Sequence, residues 1–270
     1  LSLQDNLCQI LKYSCDFAHF MRLSKYLDLW QESGLCDRLG GSNSDGRVFN
    51  SNFKQWRTHI ERNLDILSKK AGSKYADSPD NKLFQICCEH VKFYESPCNN
   101  NSKVFLVHPF YLPLTQFRQF TTIATRRHTR KYLDNLVKLL ESRTDRKKYE
   151  IVALDTLHHY AASTSLLLEK GLIDNIIFTR YDSGIPVDIK ELSKYFNKKI
   201  IFAGGYNKKC LSDSIYCTRR YSNDLWGIPE LILNSPRYHK YVLKPKSVHG
   251  LPDTRLIKYK EFLMQLKSTI

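Results

Sequence analysis

Short apolar runs alternate with amphipathic segments along the chain from Lys103 onward. Four runs have the length and composition of β-strands, namely residues 103–108, 149–155, 175–179 and 199–203. The segments after them carry apolar residues at the spacing of helices, over residues 130–142, 160–170, 187–196 and 207–216. Continuously apolar strands that alternate with helices predict a parallel sheet covered on both faces. The pattern therefore predicts a Rossmann-like three-layer α/β domain with about four or more strands.

Residues 1–100 have a different pattern, which predicts a small helical region. Its clearest helical segments are residues 53–67 and 82–94, and a glycine-rich loop precedes them. Turn-forming residues at 96–102 then mark a domain boundary. The α/β domain is expected over residues 101–270, with an irregular tail from Leu225 that ends in a helix from about Thr254.

Composition and cysteine content narrow the class of protein. No run of about 18 apolar residues occurs, which excludes a membrane-spanning helix, and residues 1–15 do not have the pattern of a signal peptide. The chain holds 8 cysteines, but no CxxC motif has the partner that a structural zinc site needs. Cys87 and Cys88 lie in an apolar run, as buried thiols do. We expect free, reduced cysteines and hence an intracellular, reducing compartment.

The net charge of +15 is distributed unevenly. Residues 1–100 carry 13 Lys plus Arg against 12 Asp plus Glu, whereas residues 101–270 carry 29 against 15. One interpretation of this excess of positive charge is that it keeps a lysine-rich protein soluble. The other is an anionic partner, such as a nucleotide, a phosphorylated metabolite, nucleic acid or an acidic membrane surface.

Ionisable residues and glycines follow the four predicted strands. His108 ends the first strand, Asp155 the second, Asp182 follows the third, and Gly204-Gly205 follows the fourth. The carboxyl ends of parallel strands meet at one edge of a sheet, where ligands bind. We therefore predict one cleft that is surrounded by His108, Asp155, Asp182 and Gly205.

Asp155 is the first candidate for chemistry, because a carboxylate that closes an apolar run is costly unless it is hydrogen-bonded or used. His158 lies three residues further on and would complete an acid–base pair. The alternative is that Asp155 caps the following helix. A metal ion held by Asp155, His158 and Asp182 is not predicted, since no HxxxH or HExxH spacing is present.

Two groups of residues are candidates for binding an anion. Gly204 and Gly205 would let the backbone approach a ligand at a helix start, and Lys208 and Lys209 would add positive charge. The alternative is a tight strand–helix turn, and neither GxGxxG nor GxxxxGK[ST] is present. A second group could clamp phosphates bidentately, or form a solvated face: Arg126, Arg127 and Arg180.

Cys210 lies near a predicted helix start beside two lysines, which favours the nucleophilic thiolate. The alternative is that it faces the core with Leu211 and Ile215. Residues 200–215 resemble part of the isochorismatase-type cysteine hydrolases, which place a Cys at a helix start after a glycine-bearing strand end, with Asp and Lys partners. In that family an Asp closes the first strand, where this chain has His108, and no motif matches the partner Lys.

These patterns favour an enzyme that transfers or hydrolyses a group on a phosphorylated or nucleotide-like small molecule. The alternative is a non-catalytic protein that docks on nucleic acid or another anionic polymer through its basic C-terminal part. Tyr216, Arg219, Arg220 and Tyr221 interleave aromatic and basic residues as such binding requires. The sequence identifies no cofactor.

Overall fold

The computed structural model describes most of the chain from Lys82 onward. The described residues are 82–96, 102–109, 128, 131–132, 134–136, 138–140, 142, 149–157, 160, 164–169, 171–180, 183–234 and 247–267. The helices predicted within residues 1–81 lie outside this part of the chain. The predicted helix at 82–94 is confirmed as α1 (Lys82–Tyr94).

Five parallel strands form one sheet in the order β3-β2-β1-β4-β5. They are β1 (Ser102–Val107), β2 (Glu150–Asp155), β3 (Asn175–Phe178), β4 (Lys199–Asn207) and β5 (Leu225–Asn234). This is a doubly wound order, in which the direction of winding reverses between β1 and β4. The predicted α/β class and parallel sheet are confirmed.

Helices cover both faces of the sheet. They are α2 (Ser165–Glu169), α3 (Cys210–Thr218), α4 (Tyr259–Lys267) and two 3-10 helices (Ile189–Tyr195 and Asp253–Arg255), and residues 131–132, 134–136 and 138–140 are also helical. Alternate β1 side chains point to opposite faces, so that Leu106 packs with α1, α2 and α4 while Phe105 packs with α3 and the first 3-10 helix. Two hydrophobic cores therefore enclose the sheet in three layers.

The prediction of an irregular tail from Leu225 is wrong for 10 residues, which form the edge strand β5. Gly227 and Pro229 interrupt the apolar pattern of β5, so the strand was not recognisable from the sequence. Pro229 lies where the pairing with β4 shifts register, between the pairs Phe202–Gly227 and Gly204–Ile232. An edge strand with such an irregularity tolerates a residue that lacks an N–H group.

Two predicted helices also differ from the structure. The segment predicted at 187–196 is a 3-10 helix, whose Asp188 carboxylate caps it by accepting a 2.9 Å hydrogen bond from the Lys190 N–H. The helix predicted from Asn207 begins only at Cys210, because β4 continues through both glycines to Asn207.

Gly204 allows β4 to approach β1 closely at the centre of the sheet. It pairs with Val107, and its backbone has φ +100°. A Cβ atom at this position would lie 2.0 Å from the Val107 carbonyl oxygen. Close packing of two strands is therefore sufficient to explain this glycine.

A buried ion pair joins β1 and β2 at the opposite, amino edge of the sheet. Lys103 and Glu150 are partners in the strand register, and both side chains are buried. The Lys103 Nζ also lies 5.9 Å from the centre of the Tyr195 ring. Burial raises the pKa of Tyr195, and the charge of Glu150 raises it further, so the phenol stays protonated.

Gly204→Ala is expected to destabilise the protein strongly. The left-handed backbone alone costs about 1–3 kcal/mol for a non-glycine residue, and the collision with Val107 adds to this cost. Gly227→Ala is the control, since its Cβ would meet the Leu251 side chain at 3.1 Å, which can yield. Chemical denaturation measures both variants, and equal losses would contradict the role assigned to the Gly204–Val107 contact.

Candidate functional site

The carboxyl ends of β1, β2 and β3 place three buried polar residues at one edge of the sheet: His108, Asp155 and Thr179. The His108 N–H donates to the Leu154 carbonyl at 2.9 Å, and the Thr179 N–H donates to the Asp155 carbonyl at 2.8 Å. The three residues therefore follow one another across neighbouring strands. Buried polar groups need partners, and these residues have them within the site.

His108 is held in an unusual backbone conformation with φ +44°. Its Nε2 lies 3.0 Å from the Thr179 Oγ1, which fixes the orientation of the imidazole ring. The Tyr132 hydroxyl donates a 2.7 Å hydrogen bond to the carbonyl of Pro109, the next residue, and so holds the turn. Residues with positive φ concentrate at functional sites, where the surrounding contacts maintain the strain.

The Asp155 carboxylate is 1% exposed and accepts hydrogen bonds at both oxygens. Oδ1 accepts from the Thr156 N–H at 3.0 Å, and Oδ2 accepts from the Thr164 hydroxyl. Hydrogen bonds to a charged group are stronger than those between neutral groups, so they orient the carboxylate firmly. Burial raises the pKa of Tyr132, and the Asp155 charge raises it further, which keeps that hydroxyl protonated as a donor.

The end of β4 brings positive charge to the same edge. Gly204 and Gly205 lie within the strand, and the exposed residues Lys208 and Lys209 form the turn that leads into α3. Lys208 has φ +66°, and Lys209 occupies the N-cap position of α3. Arg180 is also exposed, directly after Thr179.

Three of the four residues predicted to surround one cleft lie in the described part of the chain. His108, Asp155 and Gly205 lie at one edge, since Val107 pairs with both Leu154 and Gly204 in the register. Four further predicted residues lie outside the described part of the chain: Asp182, His158, Arg126 and Arg127. Their roles stay predictions.

Cys210 is the first residue of α3 and is 8% exposed. It belongs to the same hydrophobic core as Leu211 and Ile215. Its carbonyl oxygen accepts a 3.0 Å hydrogen bond from the Ser214 hydroxyl, which also donates to the Gly184 carbonyl at 2.8 Å. The predicted position of Cys210 near a helix start is confirmed, and its nucleophilic role stays a prediction.

Sequence reasoning missed Tyr132, Thr164 and Thr179. Tyr132 lies in a segment predicted to be helical, where a tyrosine is typical of an apolar face. The two threonines are uncharged, and Thr179 lies 71 residues from its partner His108. Thr179 is the last residue of the predicted strand at 175–179, and this position was the available signal.

No protein-family model, curated protein or solved structure matches this chain. Among the described residues, no group of three or more His, Cys, Asp or Glu residues is arranged to hold a metal ion. Within the same part of the chain, each helix is too short or too polar to cross a membrane. The fold and its carboxyl edge define a doubly wound α/β protein with buried polar strand ends.

Thr164→Val is expected to destabilise the protein by about 1.5–3 kcal/mol, because a buried carboxylate loses a hydrogen-bond donor. Thr218→Val is the matched control. Both threonines are 0% exposed, but the Thr218 hydroxyl donates to the Ser214 carbonyl, a neutral acceptor. Equal losses in urea denaturation would mean that Asp155 does not act as a charged acceptor.

Alkylation of the native protein tests the nucleophile hypothesis for Cys210. Burial raises the pKa of the half-buried Cys217 thiol, although Arg220 lowers it in part, so little of it is thiolate at pH 7. From its burial we expect Cys210 to react with iodoacetamide more slowly still, measured by peptide mass spectrometry. A faster reaction at Cys210 would instead establish an activated thiolate.

Proposed function

We propose that the protein is an enzyme that transfers or hydrolyses a group on a phosphorylated or nucleotide-like small molecule. The observation that carries this proposal is the pair Asp155 and His108, buried and oriented by hydrogen bonds at adjacent strand ends. Doubly wound sheets bind their ligands at this edge, in the crevice where the winding reverses. His108 ends the strand at one side of that crevice, and Gly205 lies on the other.

Asp155 is suited to accept a proton. In this mechanism the carboxylate takes the proton of an attacking water or hydroxyl, whose oxygen forms the new bond to the transferred group. The bond to the leaving group breaks, and the imidazole of His108 supplies the proton that this group needs. The hydrogen bonds that Asp155 accepts from Thr156 and Thr164, and the one between His108 and Thr179, restrict both side chains and reduce the cost of orienting them.

The exposed cations at the edge support an anionic ligand. Arg180, Lys208 and Lys209 follow the ends of β3 and β4. Arginine binds phosphate bidentately, and lysine binds it as a point charge. At this edge of the sheet, they would attract a phosphorylated ligand.

One observation favours docking on nucleic acid instead. Tyr216 is 52% exposed on α3, and the Arg219 guanidinium lies 5.4 Å from the centre of its ring. Exposed aromatic rings beside cations bind single-stranded nucleic acid by stacking. This surface lies on the outside of α3, so it is separate from the buried pair Asp155 and His108.

Turnover of a panel of phosphate esters, nucleotides and pyrophosphates, followed by phosphorus NMR, tests the proposal. Asp155→Asn should lower turnover of any active compound by about 10²–10⁴-fold, as expected for loss of a general base. Asp174→Asn is the control, because Asp174 is also buried and hydrogen-bonded, to the Ile151 N–H at 2.7 Å, but lies at the amino edge.

Equal turnover in the Asp155→Asn and Asp174→Asn variants would contradict the proposal. An inactive wild type that binds single-stranded nucleic acid, with an affinity that falls steeply as salt rises, would favour the docking alternative.

A further inference from the structure

The first turn of α3 contains a buried hydroxyl group that no other group satisfies. Ser212 is 5% exposed, and its Oγ has no hydrogen-bond partner, unlike the hydroxyls of Ser214 and Thr218. Ser214 donates to the Gly184 carbonyl and Thr218 to the Ser214 carbonyl. A buried hydroxyl without a partner is costly, which points to a ligand that supplies one.

Ser212 lies in the first turn of α3, the turn whose amides begin this helix. Ser212 is the third residue of this helix, and helical side chains lean towards the N-terminus. The first-turn N–H groups have no acceptor within a helix and carry partial positive charge. Lys209 at the N-cap makes no side-chain capping hydrogen bond to them.

The 247–250 turn contacts the side of α3 on which Ser212 lies. Ser212, Tyr216 and Arg219 share one stripe of α3, being four and three residues apart. Tyr216 faces His249 with ring centres 6.3 Å apart, and Arg219 donates to the Gly250 carbonyl. Asn207, at the end of β4, holds the same turn by accepting a 2.8 Å hydrogen bond from the His249 N–H.

We propose that the first turn of α3 binds the phosphoryl group of the ligand, with Ser212 as a hydrogen-bond donor to it. The first-turn amides donate to the same oxygens, and Lys208 and Lys209 neutralise their charge. Since Ser212 is 5% exposed, the phosphoryl group must displace the groups that cover its hydroxyl. This inference rests on the proposed function, because it assigns the anionic part of that same ligand.

Asp213 is the acidic residue of the first turn and opposes an anion there. The Ser183 hydroxyl donates to its Oδ2 at 3.1 Å, which holds the carboxylate towards the loop after β3. Removal of this charge should therefore strengthen phosphate binding.

Calorimetric titration of the full chain with inorganic phosphate and with pyrophosphate tests the subsite. Ser212→Ala should weaken binding by about tenfold or more, the effect of losing one hydrogen bond to a charged group. Its melting temperature should not fall, because no hydrogen bond is lost in the unliganded protein. Ser214→Ala is the matched control, and it should lower the melting temperature while leaving the affinity unchanged.

Two further variants examine the charges around the subsite. Asp213→Asn should strengthen binding severalfold. Lys208→Ala with Lys209→Ala should weaken it more than Lys258→Ala with Lys260→Ala, which removes equal charge from exposed positions beside the amino end of β5.

Unchanged affinity in Ser212→Ala, or equal losses in the two lysine pairs, would overturn the subsite. So would a wild type that binds neither phosphate nor pyrophosphate. None of these results decides the proposed function, which depends on turnover and on Asp155→Asn. Loss of turnover in that variant with unchanged binding by Ser212→Ala would leave the enzyme proposal standing without this subsite.

Discussion

The direct pairing of β4 with β1 is the contact on which the rest of the structure depends. It is the point where the winding of the sheet reverses, so the segments that follow β1 and β4 cover opposite faces. Gly204 makes the contact possible, because any side chain there would collide with the Val107 backbone. The same contact sets His108 and the Lys208-Lys209 turn on the two sides of one crevice. Packing at the centre of the sheet and the geometry of the candidate site therefore have a common cause.

Buried polar residues lie at both edges of the sheet. At the amino edge, Lys103 and Glu150 pair with each other and are closed off by Tyr195. At the carboxyl edge, the hydroxyls of Thr164 and Thr179 are among the hydrogen-bond partners of Asp155 and His108. A hydroxyl can orient a buried carboxylate or imidazole by a hydrogen bond and brings no charge of its own.

The sequence was sufficient to predict four of the five strands but insufficient for the contacts within the site. Four strands were recognisable because buried parallel strands are continuously apolar, and their parallel direction placed His108, Asp155 and Gly205 at one edge. β5 was missed, since Gly227 and Pro229 break the apolar pattern and are tolerated only through edge position and irregular pairing. The roles of Thr164, Thr179 and Ser212 could not be predicted, because the hydrogen-bond partner of a hydroxyl depends on residues that only tertiary packing brings close.

The ion pair between Lys103 and Glu150 also selects the alignment of β1 with β2. A slip of one residue would turn every side chain to the wrong face, and the apolar pattern rejects it. A slip of two residues keeps each side chain on its own face, so apolar packing distinguishes it poorly. That slip would separate Lys103 from Glu150, its direct partner in the register, and leave two buried charges unpaired. Breaking a buried pair costs about 3–5 kcal/mol, which is enough to exclude the shifted sheet.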